Sequence, residues 1–297
     1  MKEKRKDNIY LKNERLCVQI AFPGTYYKGS RFDWNGFITQ VTLDGNNTFC
    51  IPESLIKGQG SGGCGLCGEF GIDRPIGYED LGENEYFPKI GVGVVLKPDN
   101  LKYNFFRNYQ FKPFKSKVTK LSNCVEFYVE PEDCNGYSVL YKKKISLNDN
   151  RVKIEHFLEN VGTKRIHTTE YSHNFISIDG DTTGSHYNLI VPNLDSVDRL
   201  PEVMEYHEDG FFSWKDDDFQ KDFYCILKGN SNQNGYSWDL YNSVRGVGIK
   251  EYDDFKPIKF ALWGMKHVIS PEIFIEIRLE PKETLRWTRC FEFYTRG

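Results

Sequence analysis

From residue 89 to the end of the chain, short apolar–polar alternations follow one another too closely to leave room for long helices. Residues 90–97, 103–112, 115–121, 124–129 and 137–147 come first. The turn Asn148-Asp149-Asn150 leads into residues 151–158, where Val152, Ile154, His156 and Leu158 share one face. After Asn160-Val161-Gly162 comes the run 164–178. Strands resume at 223–227, 235–241, 247–252, 259–264, 272–280 and 284–294. A period of two sends alternate side chains to opposite faces, and the turn residues between runs reverse the chain. Without helical periodicity, the pattern predicts an all-β fold, a large antiparallel sandwich. No repeat or linker divides it, so residues 1–297 read as a single domain.

The N-terminal part uses the same alphabet. Residues 16–22 (LCVQIAF) alternate until Pro23-Gly24. Residues 37–43 alternate again before the turn Asp44-Gly45-Asn46-Asn47 and a short strand at 48–51, which predicts a hairpin. Residues 57–71 (KGQGSGGCGLCGEFG) are the most glycine-dense stretch. Glycine permits backbone angles closed to other residues and lets main chain approach a ligand. The stretch matches neither the dinucleotide fingerprint nor the P-loop, so it reads as an irregular loop lining a site, with Glu69 its carboxylate. Cys64 and Cys67 form a CxxC without the second ligand pair that zinc needs and without a thioredoxin-like βαβ setting. Incidental thiols are the expectation, with no metal. Residues 179–199 read as loop. The acidic patch within 201–218 (EYHEDG, KDDD) lacks calcium-loop spacing and reads as a solvated face.

Charge and cysteine usage narrow the partners. The 39 basic and 42 acidic residues leave a formal charge of −3, which argues against a nucleic-acid surface. The basic run at 1–6 precedes no apolar stretch, so it reads as no signal peptide, and residues 1–8 are expected to fray. No apolar run reaches membrane-spanning length. The eight cysteines then read as reduced thiols of a cytoplasmic protein. The 22 Phe, 18 Tyr and 5 Trp suit sheet cores and the apolar face of a sugar equally well. Oligomeric state is not written in these features.

Two stretches place titratable groups among strand formers. Residues 168–180 (TTEYSHNFISIDG) hold His173 between Tyr171-Ser172 and Asn174-Phe175. Such a histidine can pass a proton at neutral pH, or simply bond a carbonyl in a half-buried strand. Residues 270–280 (SPEIFIEIRLE) put Ile273, Ile275, Ile277 and Leu279 on one face, with Glu272, Phe274, Glu276, Arg278 and Glu280 on the other. Glu272 follows Pro271 at an expected loop–strand junction, where a side chain can reach a cleft.

Together, residues 26–36 (YYKGSRFDWNG), 169–179 (TEYSHNFISID) and 271–294 (PEIFIEIRLEPKETLRWTRCFEFY) resemble the galactose mutarotase-like (aldose 1-epimerase) superfamily. Residues 62–71 also resemble the glycine-rich loop of its hexose-6-phosphate mutarotase branch. The resemblance covers nearly the whole chain. It implies a β-supersandwich with a small-molecule carbohydrate site on the concave face of one sheet, and an isomerisation needing no metal or organic cofactor. In that chemistry a histidine protonates the ring oxygen while a glutamate takes the proton of the anomeric hydroxyl. The ring opens, the aldehyde rotates, and reclosure gives the other anomer.

On this mapping His173 is the acid and Glu272 the base, with Glu276 its rival on the same face. The implied sugar contacts are Arg31 and Asp33 in the aromatic segment, Glu69 in the glycine loop, and Tyr171 and Asn174 beside the histidine. Trp263 is a stacking platform, as are Trp34 and Trp287 unless they serve the core. Arg74 and Arg107 could hold a phosphate if the sugar carries one, although no cationic cluster in the sequence argues for it. Well-studied mutarotases have a second histidine early in the chain. Here none precedes His156, and Glu69 with its glycine loop stands roughly at that place. The turn Pro281-Lys282-Glu283 has Lys where the family has Gly. A non-catalytic carbohydrate-binding protein on the same fold is the alternative, and an accessory sandwich domain for protein contacts is a third reading.

Overall fold

A computed structural model describes residues 8–215, 218–229 and 235–296. The basic run at 1–6, most of the segment expected to fray, and Asp216 and Asp217 of the acidic patch lie outside them. Two ten-stranded sheets and one three-stranded sheet account for the strands among the described residues. The first sheet runs in the order Asn8–Lys12, Leu16–Ala21, Phe37–Leu43, Gly65–Phe70, Ile166–Phe175, Val268–Leu279, Lys259–Met265, Phe223–Lys228, Ser196–Asp198, with Asn47–Thr48 paired to Phe37–Leu43. The centre of the second sheet is Gly235–Asn242, Val247–Asp253, Thr284–Thr295, Arg151–Asn160, Val139–Asn148 and Cys124–Val129. The neighbours pair antiparallel, as hairpins and short turns require. This is the antiparallel all-β sandwich that the alternation predicts.

The inward faces of the two sheets pack against each other in a large apolar core. Val18, Ile38, Val41 and Leu66 from the first sheet belong to the same cluster as Phe127, Ile145, Val152 and Phe291 from the second. Polar groups also lie between the sheets, several of them in ion-paired clusters. Arg289 donates from Nη2 to Glu170 at 2.8 Å and from Nη1 to Glu251 at 2.9 Å, with Asp253 at 3.4 Å. Trp287 donates to Glu170 and Trp238 to Glu251. Nearer the N-terminal end, Asp33 accepts from Tyr141 Oη at 2.8 Å and Lys143 Nζ at 3.0 Å, both reaching across from the second sheet.

The glycine-dense stretch is not one loop. Its second half, Gly65–Phe70, is a strand buried at every residue, paired with the His173 strand through Glu69–Tyr171 and Cys67–His173. A strand covered on both faces loses the alternation by which strands are recognised, and small residues let its neighbours close in. Gly65 takes φ +60°, where a Cβ would lie 2.2 Å from the Ile38 carbonyl oxygen. Only glycine fits there.

Elsewhere the corrections are local. Within 103–112 only the end is strand, in Phe111–Pro113. Tyr103 and Tyr109 stack at 5.4 Å and pack on Phe87, so their spacing serves an aromatic cluster rather than a ladder. The expected loop at 179–199 contains the strands Tyr187–Ile190 and Ser196–Asp198, and the acidic stretch contains Met204–Tyr206 and Phe211–Trp214. Lys282 holds φ +73° at the final turn, the left-handed angle a glycine would take without strain.

Candidate active site

The strand Ile166–Phe175 is central in the first sheet, between Gly65–Phe70 and Val268–Leu279. Alternation sends Glu170 and Asn174 inward to Arg289 and Glu251, so Tyr171 and His173 face away from the second sheet. The ladder to Val268–Leu279 runs from Ile166 to Tyr171, opposite Phe274, then stops. It resumes at the Ile176–Ile269 bridge. Pro271 lies in this gap with no N–H to donate. Side chains fill in: Ser270 Oγ accepts from the Asn174 N–H at 3.0 Å, and Asn174 Nδ2 donates to the Pro271 carbonyl at 2.7 Å. Glu272 therefore sits well inside a twelve-residue strand, not at its loop junction.

At the gap His173 and Glu272 meet. The histidine Nε2 is 3.3 Å from Glu272 Oε1, and Ser270 Oγ lies 2.9 Å from His173 Nδ1 and 3.1 Å from Glu272 Oε1. Phe175 stacks on the imidazole at 3.9 Å and 9°, and Trp263 meets it edge-on at 5.3 Å. Both ionisable groups are almost wholly buried, and burial disfavours either charge. Burial pushes the Glu272 carboxyl up to about 8, despite Arg31 and the Ser270 hydroxyl, which favour its charge. Burial, then the Arg31 charge, hold the His173 imidazole well below its usual range. At neutral pH the contact is thus a hydrogen bond between a carboxylic acid and a neutral imidazole rather than an ion pair. The pair holds one proton.

Beside it, Arg31 donates from Nε to Glu69 Oε2 at 2.8 Å, from Nη1 to Ser61 Oγ at 2.8 Å and from Nη2 to Tyr171 Oη at 3.2 Å. Tyr171 Oη donates to the same Glu69 oxygen at 2.6 Å. Burial opposes the Arg31 charge, but Glu69 and Tyr171 hold its pKa well above the usual arginine range. Lys89 Nζ approaches the other Glu69 oxygen at 3.4 Å, and burial lowers its pKa to about 8. Glu69, fully buried, is a shared counter-charge for two cations. It orients Arg31 rather than facing open space. A cavity of about 250 Å³ lies over this group, walled by Arg31, Tyr171, His173, Glu272, Trp263 and Phe105.

The fold thus gathers His173, Glu272, Arg31, Tyr171 and Trp263 around one cavity, with Glu69 behind them. It does not bring the other candidates there. Asp33 lies between the sheets on Lys143 and pairs with neither Arg31 nor the cavity. Asn174 points inward and replaces a missing ladder bond. Arg74 is exposed and meets the His167 ring at 2.7 Å. Arg107 pairs with Asp99 at 2.6 Å. Trp287 is core, and Trp34 packs on Phe111. Glu276 shares the Glu272 face but sits further along it, accepting from Arg278 Nη2 at 2.6 Å and close to His167 Nε2 at 2.9 Å. The Arg278 and His167 contacts lower its pKa. Glu276→Gln is therefore expected to leave any turnover at this cavity within about twofold of the parent, measured alongside Glu272→Gln, because surface pairs of this kind contribute little.

Sequence reasoning missed Ser270, which sits between the imidazole and the carboxyl. Its one signal is its place two residues before Glu272, on the same strand face. Glu53, Asp222, Phe106 and Tyr224 also line the cavity. Glu53 and Asp222 come from segments with no local pattern. The CxxC thiols are not at the cavity surface. Burial pushes the Cys64 thiol up to about 11 and Cys67 well above its usual value, and Cys67 Sγ donates to the His173 carbonyl. All eight cysteines are free thiols.

No protein-family model and no curated protein matches the chain. Solved structures do. The chain is similar to a galactose mutarotase-like protein from Lactobacillus casei, at TM-score 0.60 and 12% identity over 97% of this chain and 100% of that one. A galactose mutarotase-like protein from Clostridium acetobutylicum superposes at TM-score 0.60 and 10% identity, covering 97% and 95%. Galactose 1-epimerase from Lactobacillus acidophilus does so at TM-score 0.53 and 14% identity, covering 100% and 98%. The fold is the galactose mutarotase-like β-sandwich. No helix among the described residues is long and apolar enough to cross a membrane.

Proposed function

We propose that this chain interconverts the anomers of a hexose or related sugar, as an aldose epimerase, with His173 and Glu272 as its acid–base pair. The observation that carries the reading is the 3.3 Å contact between the two groups inside a cavity walled by Trp263 and Tyr171. A hemiacetal carries its ring oxygen and its hydroxyl on one carbon. Bound at the gap, it exchanges the direct His173–Glu272 contact for one contact to each oxygen. One group gives the shared proton to the ring oxygen as the carbon–oxygen bond breaks. The other takes the hydroxyl proton as the carbonyl forms. Rotation and reclosure return both protons, and the pair ends as it began.

The resting charge state favours Glu272 as the donor to the ring oxygen and His173 as the acceptor, opposite to the order implied by the resemblance. The proton count is the same in either order. Arg31, held by Glu69 in the cavity wall, has remaining N–H groups that suit sugar hydroxyls. Trp263 offers an apolar face to the pyranose. The free thiols fit a reducing cytoplasm. Anomer exchange measured by NMR over a panel of sugars tests the reading. The expected result is exchange faster than the uncatalysed rate for at least one sugar. Sugars that bind without exchanging would make the protein a carbohydrate-binding module instead.

A further inference from the structure

Ser270, in the gap of the ladder, is fully buried. The residue after it, Pro271, has no N–H to compete for its hydroxyl. A hydroxyl has two lone pairs and one proton. The Asn174 N–H, which can only donate, takes one lone pair at 3.0 Å. One lone pair and the proton are left for two neighbours, His173 Nδ1 at 2.9 Å and Glu272 Oε1 at 3.1 Å. When either of these gives a proton to Ser270, the other must take one from it. One side of the imidazole and one oxygen of the carboxyl are thereby linked through a single oxygen atom. Glu272 Oε2 bonds no other described residue, and His173 Nε2 has Glu272 as its polar neighbour. Those two atoms are left for a sugar.

Ring opening in the order set out above moves the carboxyl proton to the sugar and a sugar proton to the imidazole. With no further step it leaves a carboxylate and an imidazolium on side chains only 7% and 6% exposed, where charges lose their hydration. We propose that Ser270 is a proton bridge, taking the Nδ1 proton of His173 and passing its own to Glu272 Oε1 as the ring opens, and returning both as it closes. The proposal rests on the epimerase reading for its substrate. Four transfers balance the step. Glu272 Oε2 gives its proton to the ring oxygen as the carbon–oxygen bond breaks. The anomeric hydroxyl gives its proton to His173 Nε2 as the carbonyl forms. His173 Nδ1 gives its proton to Ser270 Oγ, and Oγ gives its own to Glu272 Oε1. Each protein group ends with as many protons as it began with, so imidazole, carboxyl and hydroxyl all stay neutral beside the open-chain sugar. Closure runs the same transfers backwards. Ser270 touches no substrate atom. It is a positioning residue that keeps the resting imidazole protonated on Nδ1, with Nε2 bare towards the sugar.

Anomer exchange is compared for the parent and Ser270→Ala, with a sugar from the panel above that the parent turns over. The variant's kcat is expected to fall on the order of 10²-fold, the low end for proton-transferring groups. Its KM should stay near the parent's, because the bridge acts as the ring opens and not as the sugar binds. Nitrogen-15 spectra of the histidine rings, with the His173 signals identified by their loss in His173→Gln, supply a readout that lost packing alone does not move. At neutral pH the parent should show His173 protonated on Nδ1 and bare on Nε2. Ser270→Ala should shift that balance towards Nε2–H, since Nδ1 has then lost its acceptor. A variant kcat within about twofold of the parent's overturns the proposal and leaves the epimerase reading intact. So does a bare Nδ1 in the parent, or a tautomer unchanged in the variant. If no sugar exchanges, the epimerase reading fails, and the bridge is judged by the ring spectra alone.

Discussion

Arg289→Met is expected to destabilise the protein by roughly 3–5 kcal/mol, the range found when one partner of a buried charge group is removed. Arg289 is 1% exposed and donates to Glu170, Glu251 and the Ile273 carbonyl, with Asp253 nearby. Burial alone disfavours its charge, and the three carboxyl groups restore it. Burial, followed by Glu251, already holds Asp253 well above the usual carboxylate range, and burial raises Glu251 too. Without the guanidinium these carboxyls have no cation between the sheets and must take up protons to stay buried. Their folded-state pKa values then rise further above their unfolded values. Stability contributed by such groups is present below the unfolded pKa and is lost as pH rises through the folded one. The deficit of the variant should therefore be larger at about pH 8 than at about pH 5. Urea unfolding at both pH values reads it. A loss under about 1 kcal/mol, or one independent of pH, would show that the cluster does not hold the sheets together.

The second large effect is on activity. His173→Ala should lower the rate of anomer exchange by roughly 10²–10⁴-fold, the usual range for general acid–base groups, while the protein stays folded by circular dichroism. The parent's pH profile carries more information than the loss itself. The pair works while it holds one proton, so its window opens below the ordinary histidine range and closes as Glu272 loses its proton at about 8. Above that point neither group can donate, and the rate should fall about tenfold per pH unit. Both limits belong to the pair rather than to either residue. A parent rate still rising above about pH 8, or a His173→Ala protein as fast as the parent, would remove the pair from the mechanism.

Much of the architecture was legible because half-buried strands record their environment locally. Thr284–Thr295 and Arg151–Asn160 alternate along their length, and the turns at Asp44-Gly45 and Asn148-Asp149 carry their own chemistry. Gly65–Phe70 left no such record, since a strand buried on both faces has no polar side to show. Within 103–112 an aromatic run looked like a strand because packing into a cluster and pairing in a sheet select the same residues.

The site divides along the same line. His173 and Glu272 could be singled out by residue type and strand context, and strand alternation put Glu276 on the same face as Glu272. Which glutamate meets the histidine is a matter of register between strands about a hundred positions apart in the chain, fixed by the ladder that stops at Tyr171–Phe274. Asp33 and Asn174 looked as ready to bind a sugar as Arg31 and Tyr171. Their side chains point into the sandwich, a distinction that depends on which face of the first sheet the second one covers. By itself the sequence determined an antiparallel all-β chain and a short list of titratable residues, because alternation and turn chemistry act between near neighbours. Only the tertiary structure decided that burial would place one proton on His173 and Glu272 together, because desolvation is set by everything packed around a group and not by the residues beside it in the chain.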